Sequence, residues 1–140
     1  MSMLVDTNVL SETVRARPNA GVLRWFAAHP SFAVSAITLE ELAFGIERLV
    51  GKRRALLHEW FERLRSEPLS LVVPIDAEVA IAAGRMRALR ERKGRPVAQA
   101  DMLIAASALV RGLVLVTRNV GDFEGCGIGL INPFEDAGDA

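Results

Sequence analysis

The chain has little with which to build a covalent or membrane-bound frame. It contains a single cysteine, Cys126, so an internal disulfide is excluded and a reducing compartment suits it. Net charge is absent as well. Seventeen basic residues offset seventeen acidic ones, which excludes a histone-like polycation but leaves room for a local basic patch. Apolar runs are short: Met102 to Val110 falls far below the roughly 20 residues of a spanning helix. The opening MSMLVDTN lacks the basic stretch, apolar segment and small-residue cleavage site of a secretory signal. A soluble, cytoplasmic protein is the expectation. Lysine is also scarce, two residues against fifteen arginines. Arginine suits phosphate recognition, although an Ala- and Arg-rich chain equally follows from genomic base composition.

What is present is apolar content, 51% of 140 residues, enough for one ordinary domain with its own core. Short strand-like runs alternate with longer helical patterns, as in βα units around a parallel sheet. Strands are expected at Met3-Leu4-Val5, Phe32 to Ser35, Leu71-Val72-Val73, Leu113 to Thr117 and Leu130-Ile131. A short helix is expected near Val9 to Val14, then one opened by Pro18 and ending near His29-Pro30. Thr38 starts another, with Gly51 as its stop, and further helices cover Lys52 to Ser66, Asp76 to about Lys93, and Val97 to Arg111. The fold class is therefore α/β, a three-layer α/β/α domain over residues 1–134 with about five parallel strands. Residues 135–140 form an acidic tail.

In open parallel sheets the ligand site lies beyond the carboxyl ends of the strands. Asp6 follows the first strand, Glu41 lies soon after the second, and Asp122 follows the fourth by a short loop. Taken singly, each has a structural alternative. Asp6 can cap the next helix. Thr38 and Glu41 spell a T-x-x-E capping box, which alone outweighs catalysis. Asp122 can anchor an Asx-turn. Asp101 is harder to explain that way, because it shares a helical face with Ile104, Ala105 and Ala108. An ionised carboxylate on an apolar stripe needs a cation or a buried arginine.

If the four converge, their repulsion raises some pKa values, and a divalent cation resolves the conflict. Oxygen ligands without a Cys/His cluster favour Mg²⁺ or Mn²⁺ over Zn²⁺. Such ions serve phosphodiester hydrolysis.

The segments LVDTNVLSE at 4–12, SAITLEELAFG at 35–45, ADMLIAASA at 100–108 and LVTRNVGDF at 115–123 occur in this order. Together they resemble the PIN-domain ribonucleases, most closely the VapC-type toxins of toxin–antitoxin pairs and their FitB-like branch. The resemblance spans Met3 to Phe134. It implies an acidic metal site of Asp6, Glu41, Asp101 and Asp122, with Asp6 and Asp101 as direct ligands. Glu41 and Asp122 complete the ring, directly or through water, and help orient the attacking water. Asn8, Thr117 and Asn119 match polar positions that support the pocket. The resemblance further implies endonucleolytic cleavage of RNA such as tRNA or rRNA, inhibition by a small VapB-type antitoxin, and a homodimer.

An acidic pocket repels a polyphosphate, so basic residues must line the approach. The stretch 85–95 holds Arg85, Arg87, Arg90, Arg92, Lys93 and Arg95 against Glu91, six positive charges minus one, a local +5. A solvated helix face is the simpler account of that run. Arg118, beside Asn119 at the expected site, is the sharper RNA-contact candidate. Phe44, Leu49, Leu57, Trp60 and Phe61 divide between core and a groove for an antitoxin helix, in proportions the sequence leaves open.

Competing folds fit less well. A haloacid-dehalogenase-type phosphatase needs Asp where Asn8 stands, and a receiver domain needs Lys where Asn132-Pro133 follows the last strand. No P-loop is present. His29 and His58 read as ordinary helix residues. A nuclease outside any toxin pair, or a catalytically silent RNA- or protein-binding module, remains the alternative function.

Overall fold

The computed structural model describes residues 2–135. Five parallel strands lie in the order β3-β2-β1-β4-β5. These are β1 (Met3–Val5), β2 (Phe32–Ser35), β3 (Leu69–Val73), β4 (Val114–Val116) and β5 (Leu130–Ile131). Between them run α1 (Thr7–Glu12), α2 (Ala20–Ala28), α3 (Ala36–Glu47), α4 (Gly51–Ser66), α5 (Ala77–Arg92), α6 (Gln99–Arg111) and α7 (Val120–Phe123). A 3₁₀ turn, Pro133–Glu135, closes the described chain. Of the expected tail only Glu135 is described, and it belongs to this turn; residues 136–140 lie outside the described residues.

The sheet is covered on both faces, in keeping with central strands that are apolar apart from Ser35 at the end of β2. Leu4, Ala33, Val73 and Leu115 face Val79 and Ala83 of α5 and Met102, Ile104 and Ala105 of α6. Their strand neighbours Val5, Val34 and Val116 face Val9 and Leu10 of α1, Val22 and Trp25 of α2, Leu42 of α3 and Leu64 of α4. Alternation along each strand thus divides one sheet into two cores. Among the described residues no helix is long and apolar enough to cross a membrane.

Several boundaries differ from the sequence expectation, each for a local reason. Helix α1 starts at Thr7 because Asp6 caps it, and α2 starts at Ala20 because the Asn19 side chain, not Pro18, accepts the Val22 N–H. Helix α3 is capped by Ser35 and starts at Ala36, so Thr38 and Glu41 lie inside it and form no capping box. Gly51 does not stop α3. With φ of 70° it opens α4, a conformation natural to glycine. Helix α6 starts at Gln99 rather than Val97, and α7 occupies a stretch expected to be loop. The αL residue Gly112 ends α6 as expected of a C-terminal glycine.

The chain moves outward from β1 through β2 to β3, then returns across β1 to place β4 and β5 on its other side. That reversal between β1 and β4 leaves a crevice beyond their carboxyl ends. Met3, Leu4 and Val5 pair with Val114, Leu115 and Val116, so Asp6 and Thr117 emerge side by side. Asp6 N–H still donates to Val116 O at 2.9 Å, and Thr117 N–H to Ile131 O at 2.8 Å.

Candidate active site

Asp6 is the anchor. It is only 3% exposed, and both carboxylate oxygens are engaged. Oδ1 accepts the Thr7 N–H at 2.7 Å, and Oδ2 accepts the Thr117 hydroxyl at 2.7 Å. Thr117 Oγ1 in turn accepts the Asn119 N–H at 3.1 Å, tying the strand end to the next loop. Those donors favour the charged carboxylate, but burial outweighs them, and the charges of Asp101 and Glu41 add to it. The Asp6 carboxyl is pushed up to about 6.

Glu41 reaches the same place from α3, where it sits three residues from Thr38 and therefore on the same face. Thr7 Oγ1 donates to Glu41 Oε1 at 2.7 Å and lies 3.0 Å from Thr38 Oγ1. Three hydroxyl and carboxyl groups thus lock α1 against α3. Asp101 comes from the first turn of α6. Because α6 runs back along the sheet before β4 begins, its N-terminal turn stands at the carboxyl ends of the strands. Burial raises the Asp101 carboxyl, and the charges of Asp122 and Glu41 raise it further.

Asp6, Thr7, Asn8, Ser11, Glu12, Arg15, Glu41, Asp101, Arg118 and Phe134 line one cleft of about 440 Å³. Among the described residues no cation forms an ion pair with Asp6, Glu41, Asp101 or Asp122. Nor do any three His, Cys, Asp or Glu side chains among the described residues stand close enough to enclose an ion as placed. The carboxylates share the cleft without closing on a point. The donor set nevertheless suits a hard cation. It is all oxygen, its central acid is destabilised by burial and like charge, and Asn8, which also lines the cleft, has a buried Oδ1 without a hydrogen-bond partner.

Comparison with known proteins places the fold in a family. The PIN domain signature matches residues 3–124. The chain belongs to the PIN-domain family. It is 35% identical to the VapC ribonuclease Y4jK of Sinorhizobium fredii, aligned over 96% of this chain and 99% of the relative. It is 36% identical to the toxin FitB of Neisseria gonorrhoeae over the same shares. The crystal structure of FitAcB from Neisseria gonorrhoeae superposes with a TM-score of 0.82 at 34% identity, covering 95% of this chain and 99% of that one. Full-length relatives at this identity put it in the VapC ribonuclease group, a nuclease by class.

This PIN domain does not bring every expected residue to the cleft. Asp122 is exposed in α7 and outside the lining, though near enough for its charge to act on Asp101. Asn119 is exposed and likewise outside it. Arg85, Arg87 and Arg92 are exposed on α5, and none lines the cleft. Arg90 has to be removed from the solvated basic face: it is 8% exposed and turned inward. Its Nη1 donates to Glu124 O at 2.6 Å, and its Nη2 donates to the carbonyls of Asp122 and Gly121. Arg90 thus fixes the backbone that carries Asp122.

Arg118 does reach the cleft, with Cζ 4.7 Å from the centre of the Phe134 ring. Of the aromatic stripe, Trp60 and Phe61 pack on the core while Phe44 is 62% exposed. Leu57 and Trp60 join Leu42 and Ile46 in an apolar groove that meets the cleft at Thr7, Ser11, Arg15 and Glu41. His29 is the C-cap of α2 and stacks on Trp25, and His58 pairs with Glu47 on the surface. Sequence reasoning passed over Thr7, Arg15 and Phe134 and left Arg90 within the basic run. Thr7 was signalled by its place between Asp6 and Asn8, whereas nothing local distinguishes Arg90 from its neighbouring arginines.

Proposed function

We propose that this chain is a Mg²⁺- or Mn²⁺-dependent endoribonuclease, the toxin of a VapBC-type toxin–antitoxin pair, cleaving tRNA or rRNA in the cytoplasm. One observation carries the reading. Asp6 is buried and raised to about 6 in a cleft shared with Glu41 and Asp101, and among the described residues none of the three forms an ion pair, although Arg15 and Arg118 line the same cleft. A divalent cation supplies, when bound, neutralisation of these acids and of the developing phosphoryl charge, and it acidifies water.

The protein's own groups divide the remaining work. Asp6 and Asp101 would hold the cation, with Asn8 beside them in the cleft lining and Thr117 fixing the Asp6 carboxylate. Glu41 keeps one oxygen on Thr7, and its other oxygen orients the attacking water and accepts its proton. Asp122, with Asn119 at the start of its helix, completes the acidic ring from α7. Arg118 contacts RNA at the cleft, and Arg85, Arg87 and Arg92 give phosphate affinity farther out.

A VapB-type antitoxin would lay a helix in the apolar groove of Leu42, Ile46, Leu57 and Trp60, from which its chain leads directly to Glu41. The relatives' structures include a DNA-bound VapBC from Salmonella typhimurium, which supports an antitoxin partner; we infer a homodimer as well.

Incubation of a total tRNA pool with Mg²⁺ or Mn²⁺ tests the activity. The Asp6→Asn variant, which can keep the α1 cap, should cleave on the order of 10³-fold more slowly. Equal cleavage by the variant would remove the nuclease assignment in favour of a silent binding module. Growth arrest on expression, relieved by the co-expressed neighbouring gene, separates a toxin from a nuclease outside any such pair.

A further inference from the structure

We propose that Phe134 and Arg118 form a nucleobase-stacking platform at the edge of the carboxylate cleft, selecting an unpaired nucleotide beside the phosphate that is cut. The inference rests on the ribonuclease reading and adds a recognition element to it. Among the described residues Phe134 is the one aromatic in the cleft lining. The ring is half-buried, packed on one side against the core that contains Val5 and Val116. Anchored this way, it loses little freedom on meeting a ligand. The Arg118 guanidinium lies over it, Cζ 4.7 Å from the ring centre, while Arg118 itself is exposed.

The pair is built rather than incidental. Asn132 Nδ2 donates to Arg118 O at 3.3 Å, and its Oδ1 accepts the Phe134 N–H at 3.0 Å. One side chain therefore fixes the backbone of both residues, and Pro133 between Asn132 and Phe134 stiffens the link.

Electrostatics gives such a platform a purpose. Asp6, Glu41 and Asp101 repel the RNA backbone in the place where it must come closest, so phosphate contacts alone supply little of the local affinity. A base can, because every base presents a π-face to an aromatic ring or guanidinium. Arg118 serves both partners, as cation to the adjoining phosphate and as a flat surface against the base. Stacking demands a splayed base, so the substrate is an unpaired stretch of RNA, a loop or an end.

The test uses a short single-stranded RNA carrying fluorescent aminopurine, whose emission falls on stacking, bound to the Asp6→Asn chain with Mg²⁺ so that cleavage does not intervene. Binding should quench the probe. Phe134→Leu should abolish the quenching and weaken binding on the order of 10-fold, and Phe134→Tyr, which keeps the ring, should restore both. Arg118→Ala should lower the slope of affinity against salt by about one. Undiminished quenching in Phe134→Leu, or its loss in Phe134→Tyr as well, would overturn the platform while leaving the ribonuclease reading untouched. That reading fails separately, if the unmodified protein cleaves no RNA.

Discussion

Two regions of this molecule bury a charge, and they do so in opposite ways. At the junction of α5 and α7, Arg90 is 8% exposed and spends its guanidinium on the carbonyls of Gly121, Asp122 and Glu124, with only Nε left unmet. At the ends of β1 and β4, Asp6 is 3% exposed and also accepts two hydrogen bonds, yet two further acids act on it and among the described residues none of the three forms an ion pair. Glu12, at 7%, behaves like Arg90: it accepts the Asn19 N–H and pairs with Arg15. A charge buried for structure is met by the groups around it. A charge buried beside like charges without an ion pair is the pattern of a functional site.

Breaking the structural region should have the largest effect. Arg90→Ala removes the donors to three carbonyls and opens a space at the α5–α7 contact. A loss of about 3 kcal/mol in urea-unfolding free energy is expected. Arg90→Lys should recover only part of it, because an ammonium cannot reproduce the guanidinium fork. Asp122 would lose its fixed backbone in both. Hydrogen exchange should therefore quicken at Gly121 to Glu124 before it changes in β1. Unchanged stability in Arg90→Ala would erase the contrast between the two regions.

The functional region should respond to pH with the opposite sign from an ordinary carboxylate. Asp6 titrates near 6 in the folded chain, against 3.8 for a free aspartate, chiefly because burial disfavours its charge. The folded state therefore binds the extra proton more readily, and its stability falls as pH rises from about 4 to about 6. A shift of this size corresponds to about 3 kcal/mol, and Asp101, raised for the same first reason, acts in the same direction. Asp6→Asn carries no such titration. In EDTA, the difference in unfolding free energy between the two proteins should grow in favour of the Asp6→Asn variant across that window. Mg²⁺ should then restore stability only to the unmodified protein. Parallel profiles for the two proteins would show that Asp6 is not strained.

Much of this was legible in the sequence. Five short apolar runs became the five strands, since a strand buried on both faces needs little beyond a β-branched or apolar run between breakers. Asp6 stood out because a residue just past a parallel strand is carried to the sheet's open end whatever the helices do, whereas Thr117 was marked only by the family resemblance. Asp101 was marked by a charge on an apolar face. The Thr38–Glu41 capping box misled because a cap is decided by one backbone position, and Ser35 took it. Arg90 and Phe134 were illegible for a different reason. Their partners lie 31 to 34 residues away for Arg90, and 16 (134 minus 118) for Phe134. No local spacing separates an inward arginine from the exposed Arg87 and Arg92 on the same helix.

Thr117→Val gives the smallest effect and the sharpest one. Thr117 is wholly buried, with its hydroxyl bound to Asp6 Oδ2 and to the Asn119 N–H. Valine fills the same volume but donates nothing, so the fold should lose only about 1–2 kcal/mol. The effect on Asp6 is disproportionate, because this hydroxyl is its strongest stabilising contact against burial and repulsion. Without it the carboxyl should rise further, and Mn²⁺ affinity at neutral pH should fall roughly 10- to 100-fold. The acid limb of the cleavage profile should move to higher pH, and Thr117→Ser should return it. A purely structural threonine would lower stability and leave that limb in place, so its position decides whether Thr117 supports the fold alone or also the charge that the fold leaves unmet.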